Sequence, residues 1–188
     1  MGTELRMEKR KMQMALLGKE SCVPDLSGES ILQNQLRFQL PEDSELYDGY
    51  GRVKSAYPYR QRNGYCRELK ERKVQTAVLE NQYLKAVFLP EYGGRLWELW
   101  DKEQDQNLLY TNDVLRFSNL ATRNAWFSGG VEWNIGIIGH TPFTTEQMYV
   151  ARTEEEAGNP VLRMYEYERI RDVTYQMDFW LEEDSRFL

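Results

Sequence analysis

The chain has 188 residues, 41% of them hydrophobic and 29% charged, with a net charge of -6. A domain of this length buries about 70% of the surface its unfolded chain exposes, so disorder throughout is excluded. Nucleic acid is excluded as a partner too, because phosphate binding draws on clustered Lys and Arg, whereas the basic residues here are scattered among acids.

The one basic cluster, Lys9-Arg10-Lys11, reads as a solvated terminal tail. In the first thirty residues Met12, Met14 and Leu16 alternate and permit one strand, although nothing demands it; residues 1–30 are set apart as an N-terminal segment. The apolar run Met14-Ala15-Leu16-Leu17 is too short for a secretory core of about 7 to 15 residues. No run approaches the roughly 20 apolar residues of a membrane span, so no membrane partner is expected. Cys22 and Cys66 lie far apart without C-x-x-C spacing, which argues against a disulfide framework or a zinc knuckle and fits a reducing compartment. The expectation is a soluble, cytoplasmic protein.

From Leu36 the alternation Leu36, Phe38, Leu40 predicts a short half-buried strand, stopped by Pro41. Tyr57-Pro58-Tyr59 is extended, since proline moves the residue before it out of the α region, and Arg62-Asn63-Gly64 is a turn. Lys73 to Leu79 and Tyr83 to Leu89 predict a hairpin around Glu80-Asn81-Gln82. Pro90-Glu91-Tyr92-Gly93-Gly94 breaks the pattern, with the two glycines supplying positive φ for a turn in preference to a phosphate cradle, since a strand and not a helix follows. That strand, Arg95 to Trp100, sets Leu96, Glu98 and Trp100 opposite Arg95, Trp97 and Leu99. The short run Leu108-Leu109-Tyr110 follows, and then Thr111 to Asn124, an aperiodic connection of a length that is more often functional than idle. Thr144 to Val150, Val161 to Ile170 and Val173 to Leu181 complete the strands, with a solvated turn from Thr153 to Pro160. No segment keeps a helical period, so the class is mainly β, an antiparallel β-sandwich.

Between those strands, Trp126 to Pro142 sets two tryptophans, Glu132, Asn134 and the chain's only histidine, His140, among four glycines. Aromatic faces cover the C–H patches of a pyranose, and Glu, Asn and His exchange hydrogen bonds or protons with its hydroxyls. Period-two geometry puts Glu132 and Asn134 on one face, directed together toward a ligand or toward water. Glu132 lies between Val131 and Trp133, the setting of a general acid or base or simply of an exposed strand glutamate. His140 sits in a loop, either as a hydrogen-bonded structural residue or as a proton carrier, imidazole having an ordinary pKa of about 6.5. A lone histidine rules out a zinc site built on several imidazoles. Arg95 either makes a local salt bridge, the favoured reading, or reaches an acidic substituent on a sugar.

The run Leu79-Glu80-Asn81-Gln82-Tyr83-Leu84, then Leu89-Pro90-Glu91-Tyr92-Gly93-Gly94-Arg95-Leu96, then Asp101-Lys102 resembles the opening hairpin of galactose mutarotase-like proteins. Tyr57-Pro58-Tyr59 and Ser128-Gly129-Gly130-Val131-Glu132-Trp133-Asn134 resemble, more closely, an uncharacterised bacterial domain family often joined to tetratricopeptide repeats and assigned to that fold. The resemblance implies a β-supersandwich with a carbohydrate pocket, of which residues 31–188 would form the N-terminal part; the length suggests a fragment whose own activity is doubtful. Aldose mutarotases use a glutamate and a histidine, which makes Glu132 and His140 the candidate catalytic pair, with Trp126, Trp133, Asn134 and Arg95 as candidate sugar contacts. Neither acid–base residue stands in the Asn-His-x-Tyr context of true mutarotases. The expected partner is a mono- or oligosaccharide, with no cofactor and no metal. Glycosidic cleavage would need a second carboxylate about 5 to 9.5 Å away, with Glu91 as the candidate. The rival reading is a non-catalytic interaction module associated with the repeats, in which the aromatic residues are sheet core.

Overall fold

A computed structural model describes residues 2–22, 59–60, 62, 64–119, 125–135, 142–169 and 172–188. The expected strand from Leu36 to Leu40 and His140 lie outside these residues. Among the described residues there are eleven strands: β1 (Glu4–Met14), β2 (Lys70–Glu80), β3 (Leu84–Leu89), β4 (Arg95–Asp101), β5 (Gln106–Asn107), β6 (Val114–Leu115), β7 (Ser118–Asn119), β8 (Ala125–Trp126), β9 (Tyr149–Glu154), β10 (Pro160–Glu168) and β11 (Val173–Phe179). A 3-10 turn, Pro142–Thr145, precedes β9. The described chain is thus almost wholly β, as the alternating pattern predicts.

The strands form a six-stranded sheet in the order β5-β4-β3-β2-β1-β6, a three-stranded sheet β11-β10-β9 and the small pair β7-β8. The pairing is antiparallel except between β1 and β6, where Gln13 and Met14 lie parallel to Val114 and Leu115. Both faces of the large sheet are covered. Ala77, Leu79, Ala86, Phe88 and Leu96 face the smaller sheet, where they meet Leu162, Met164 and Leu181 in one core. Val74, Leu89 and Trp97 meet Leu115, Phe117 and Phe127 in a second core beneath the connection after β5. A sheet buried on both sides reads as near-continuous apolar residues, which is why Ala77, Val78 and Leu79 run together in β2.

The N-terminal segment supplies an eleven-residue strand of the large sheet, paired with β2 from Glu4 opposite Glu80 to Met14 opposite Lys70 and with β6 at Gln13 and Met14. The basic cluster is therefore not a tail. Arg10 reaches Glu98 of β4 at 2.6 Å and Lys11 reaches Glu71 of the neighbouring β2 at 2.7 Å, so other strands of the sheet supply carboxylates to basic side chains of β1.

Two further expectations change. In β4, Val87 pairs with Glu98 but Phe88 pairs with Leu96, leaving Trp97 as the extra residue of a β-bulge. The bulge resets the alternation, so Leu96 and Leu99 pack on the same core instead of lying on opposite faces. The strand expected at Thr144 begins at Tyr149 and runs on to Glu154. Backbone groups of the preceding segment bond elsewhere: Gly93 N donates to Glu146 O at 2.7 Å and Met148 N to Pro90 O at 2.9 Å. The solvated turn correspondingly shrinks, because the Glu155 carboxylate accepts from Ala157 N at 2.7 Å and Asn159 N at 2.9 Å and closes it locally.

Tyr59 is drawn into the sandwich although it lies outside any strand. Its hydroxyl donates at 3.0 Å to Glu168, which is fully buried at the end of β10, and accepts from Arg169 N at 2.9 Å. Burial, aided by the adjacent Glu168, pushes the phenol well above its ordinary pKa, so Tyr59 remains a donor.

Across β10 and β11, Arg163 holds Asp178 in a forked pair, Nε to Oδ1 at 2.8 Å and Nη2 to Oδ2 at 2.7 Å. The Arg163 hydrogen bond holds the Asp178 carboxyl below its ordinary value of 3.8. A depressed acid stabilises the fold above its unfolded pKa and loses that contribution as pH falls through the folded one. Asp178→Asn should therefore lower the urea midpoint at pH 7 and change it much less at pH 3; equal losses at both pH values would show that the ion pair contributes nothing.

Candidate functional site

The segment from Phe127 to Ile135 crosses the first half of β4, and the glycines of Ser128-Gly129-Gly130 make the crossing possible. Gly130 has φ +65° and an added Cβ would lie 2.3 Å from Leu96 O, while at Gly129, with φ +105°, it would lie 2.9 Å from the Trp97 ring. No side chain fits at either position without moving the bulge. Two backbone bonds then hold the segment: Gly130 N to Tyr110 O and Val131 N to Leu96 O, both 2.8 Å. On the outer side Asn112 donates to Ser128 O at 3.1 Å and also bonds the Ser128 hydroxyl.

Arg95 lies beneath this crossing and is 3% exposed. Its Nη1 donates to Phe127 O at 2.6 Å and Gly129 O at 3.0 Å, its Nη2 to Glu132 Oε2 at 2.8 Å, and its guanidinium lies 3.8 Å from the centre of the Phe127 ring. Burial lowers the Arg95 pKa from its ordinary value, opposed by the charge of Glu132. The arginine thus fills the local role that its sequence position favours, and it fixes one oxygen of Glu132. The other oxygen, Oε1, accepts from Asn134 Nδ2 at 3.1 Å. Glu132 and Asn134 do share a face, with the Glu132 side chain 14% exposed and Asn134 exposed.

Trp133 points the other way. Its indole N–H donates to Gly94 O at 2.9 Å and its ring lies 5.1 Å from that of Phe179, against the first core. Trp126, half-buried, ends β8 opposite Ser118. The structure thus brings Arg95, Glu132 and Asn134 into one bonded chain, with Trp133 anchoring the same segment from its opposite face. Glu91 instead lines a cavity with Arg62, Arg72 and Tyr92, a lining to which Glu132 does not contribute. Among the described residues no three His, Cys, Asp or Glu side chains gather as a metal site requires, and no helix is long and apolar enough to cross a membrane.

A second arrangement carries no sequence signature. A cavity of about 490 Å³ is lined by Tyr59, Phe143, Glu20, Glu146, Glu166 and Arg169, among others. Burial raises the carboxyl pKa of Glu146, against the opposing charge of Arg62, and raises that of Glu166 against Arg169. These residues come from four separated parts of the chain, and no spacing rule joins them; only Tyr59, in the Tyr57-Pro58-Tyr59 motif, was conspicuous.

Breaking a buried ion pair costs about 3 to 5 kcal/mol because the remaining charge is left uncompensated. Arg95→Met should therefore destabilise the chain by about that much in urea melts, while Arg95→Met with Glu132→Leu should regain much of the loss. A double variant whose loss equals the sum of the two single losses would show that the pair is uncoupled.

A solved structure of similar fold is that of a TPR-domain containing protein from Parabacteroides distasonis, matched with a TM-score of 0.70 at 16% sequence identity. The match covers 98% of this chain and 28% of that one, so the chain spans little more than a quarter of that protein's length. At the level of sequence, residues 51–188, which include the Pro90–Gly94 turn, Arg95 and the whole glycine crossing, match the model of a domain of unknown function, and the chain belongs to that family, DUF5107.

Proposed function

We propose that this chain is a carbohydrate-binding domain of the galactose mutarotase-like class, taking a mono- or oligosaccharide over the segment Trp126 to Asn134. The observation that carries the reading is the Glu132–Asn134 pair. One carboxylate oxygen is tied to a buried guanidinium at 2.8 Å and the other to an exposed amide at 3.1 Å. A fixed acceptor beside a donor-acceptor amide matches the alternating donors and acceptors of neighbouring sugar hydroxyls, and a pair already held in place loses little freedom on binding. Arg95 enters as the support of Glu132, and Trp133 as the anchor of the segment through Gly94.

The catalytic form of the proposal assigns proton transfer at the anomeric centre to Glu132 and His140, as in epimerisation. The geometry supports a fixed position for Glu132. Glycosidic cleavage has less support, because Glu91 belongs to a different cavity lining. A second reading, a non-catalytic platform for a protein partner, has its own observation: Tyr149 and Tyr165 stack at 5.5 Å on the smaller sheet, 61% and 37% exposed, beside Tyr167 at 45%. Exposed aromatic patches of this kind mark interaction surfaces.

Saturation-transfer NMR against a panel of monosaccharides tests the first reading. At least one sugar should receive saturation, and Asn134→Ala should weaken that sugar by about 2- to 10-fold, the worth of one or two neutral hydrogen bonds, with an unchanged circular dichroism spectrum. Silence across the panel would remove the sugar site in favour of the platform. Anomer exchange in the same samples separates binding from catalysis: acceleration that disappears in a folded Glu132→Gln variant assigns the proton transfer to Glu132, and unchanged acceleration removes it from the chemistry.

A further inference from the structure

The Glu132–Asn134 pair is well fixed, but the tryptophans of the same segment offer a ligand little aromatic surface. Trp133 gives its indole N–H to Gly94 O and packs its ring against Phe179, and Trp126 is half-buried at the end of β8. An open ring is tied to the segment from another part of the chain. Tyr110, three residues after β5, is 76% exposed, more than any other tyrosine or tryptophan among the described residues.

Exposure alone would mean little, because a surface tyrosine ordinarily turns freely. Tyr110 is held at both ends. Its carbonyl accepts from Gly130 N at 2.8 Å, in the middle of the crossing, and its hydroxyl donates to Asn112 Oδ1 at 2.8 Å. The Asn112 amide in turn donates to Ser128 O at 3.1 Å, so the backbone and the phenol of Tyr110 are both tied to the stretch Ser128-Gly129-Gly130. The two glycines have no side chain to cover the ring, and their conformations admit none. From Gly130 the chain reaches Glu132 within about 7 Å of extended backbone and Asn134 within about 14 Å. The order along the crossing is thus an aromatic ring, bare glycine backbone, and then a fixed carboxylate beside an amide.

We propose that Tyr110 is the stacking surface of this site and that the ligand is a pyranose, laid with one C–H face on the phenol ring and with its hydroxyls toward Glu132 and Asn134. The inference rests on the sugar-binding reading and adds to it the ring form of the sugar and the residue that selects it. An aromatic face favours a closed ring whose C–H groups form one apolar patch. An open-chain alditol carries a comparable set of hydroxyls on freely rotating bonds and has no such patch. Because Asn112 already holds the phenol, little freedom is lost when a sugar packs on it.

Saturation-transfer titrations of the full chain with glucose and galactose, against their acyclic counterparts glucitol and galactitol, test this. At least one of the two sugars should bind about 3- to 10-fold more tightly than its alditol, the worth of an aromatic contact, and Tyr110→Leu should lose about that much. Tyr110→Phe, which keeps the ring but not its tie to Asn112, should lose about twofold at most. Equal affinity of sugar and alditol, unchanged affinity in Tyr110→Leu, or a Tyr110→Phe loss as large as that of Tyr110→Leu would each overturn the inference. The underlying reading fails in a different way: no saturation of either sugar in the wild type removes the site altogether, whereas binding that Asn134→Ala weakens and Tyr110→Leu does not removes only its aromatic face. If Tyr110→Leu loses the native circular dichroism spectrum, the wild type decides through irradiation of its aromatic protons: saturation concentrated on the hydrogens of one sugar face supports stacking, and even saturation around the ring overturns it.

Discussion

A guanidinium with almost no access to water holds the unusual part of this molecule together. Arg95 is the first residue of β4, and it binds two carbonyls and a carboxylate of a segment more than thirty residues away while its guanidinium sits over the Phe127 ring. A cation in such a place is costly unless it is paired, and the Phe127 to Glu132 segment supplies a carboxylate and two carbonyls to the terminal nitrogens, while Nε stays without a partner. Both partners depend on the arrangement. The segment has little regular structure of its own, only the isolated bridge of Val131 to Leu96, and the bulge at Trp97 provides the surface on which the glycines lie. Glu132 is placed where it is because the charge below it is fixed.

The turn before Arg95 links the two sheets. Gly93 and Gly94 both have positive φ, and a side chain at either would collide with a different neighbour: the carbonyls of Phe143 and Thr144 at the first, the Met164 side chain at the second. The turn therefore bends the chain and also receives the 3-10 segment and the smaller sheet at close range. Gly94 O additionally takes the Trp133 indole. One five-residue break between strands thus sets the distances among three parts of the fold.

Much of this was legible in the sequence where the local pattern and the final packing agree. The β2–β3 hairpin, β10 and β11 follow from alternation and turn residues because each lies with one face on the core shared by the sheets. The fold class follows from the absence of any helical period. The β-bulge was not legible, since an extra residue at Trp97 leaves the sequence looking like a regular strand and only the partner strand reveals the shift. Nor was β1: its outward side chains are charged, and the carboxylates that balance Arg10 and Lys11 lie on β4 and β2, far along the chain. At the site, the shared face of Glu132 and Asn134 came from period-two geometry. The place of Tyr110 did not, because its ties to Gly130 and, through Asn112, to Ser128 join stretches that no spacing rule connects.

The pairing of β1 with strands from much later in the chain has a temporal consequence. Its partners begin only at Lys70 and Val114, so during synthesis β1 finds no partner in the large sheet until β2 has been made. Closing two loops of that length makes the large sheet a high-contact-order assembly, for which millisecond-to-second folding is typical. The alternating charges of β1 then have a role before the fold exists, since a strand lined with Lys, Arg and Glu is a poor template for edge-to-edge association while it waits.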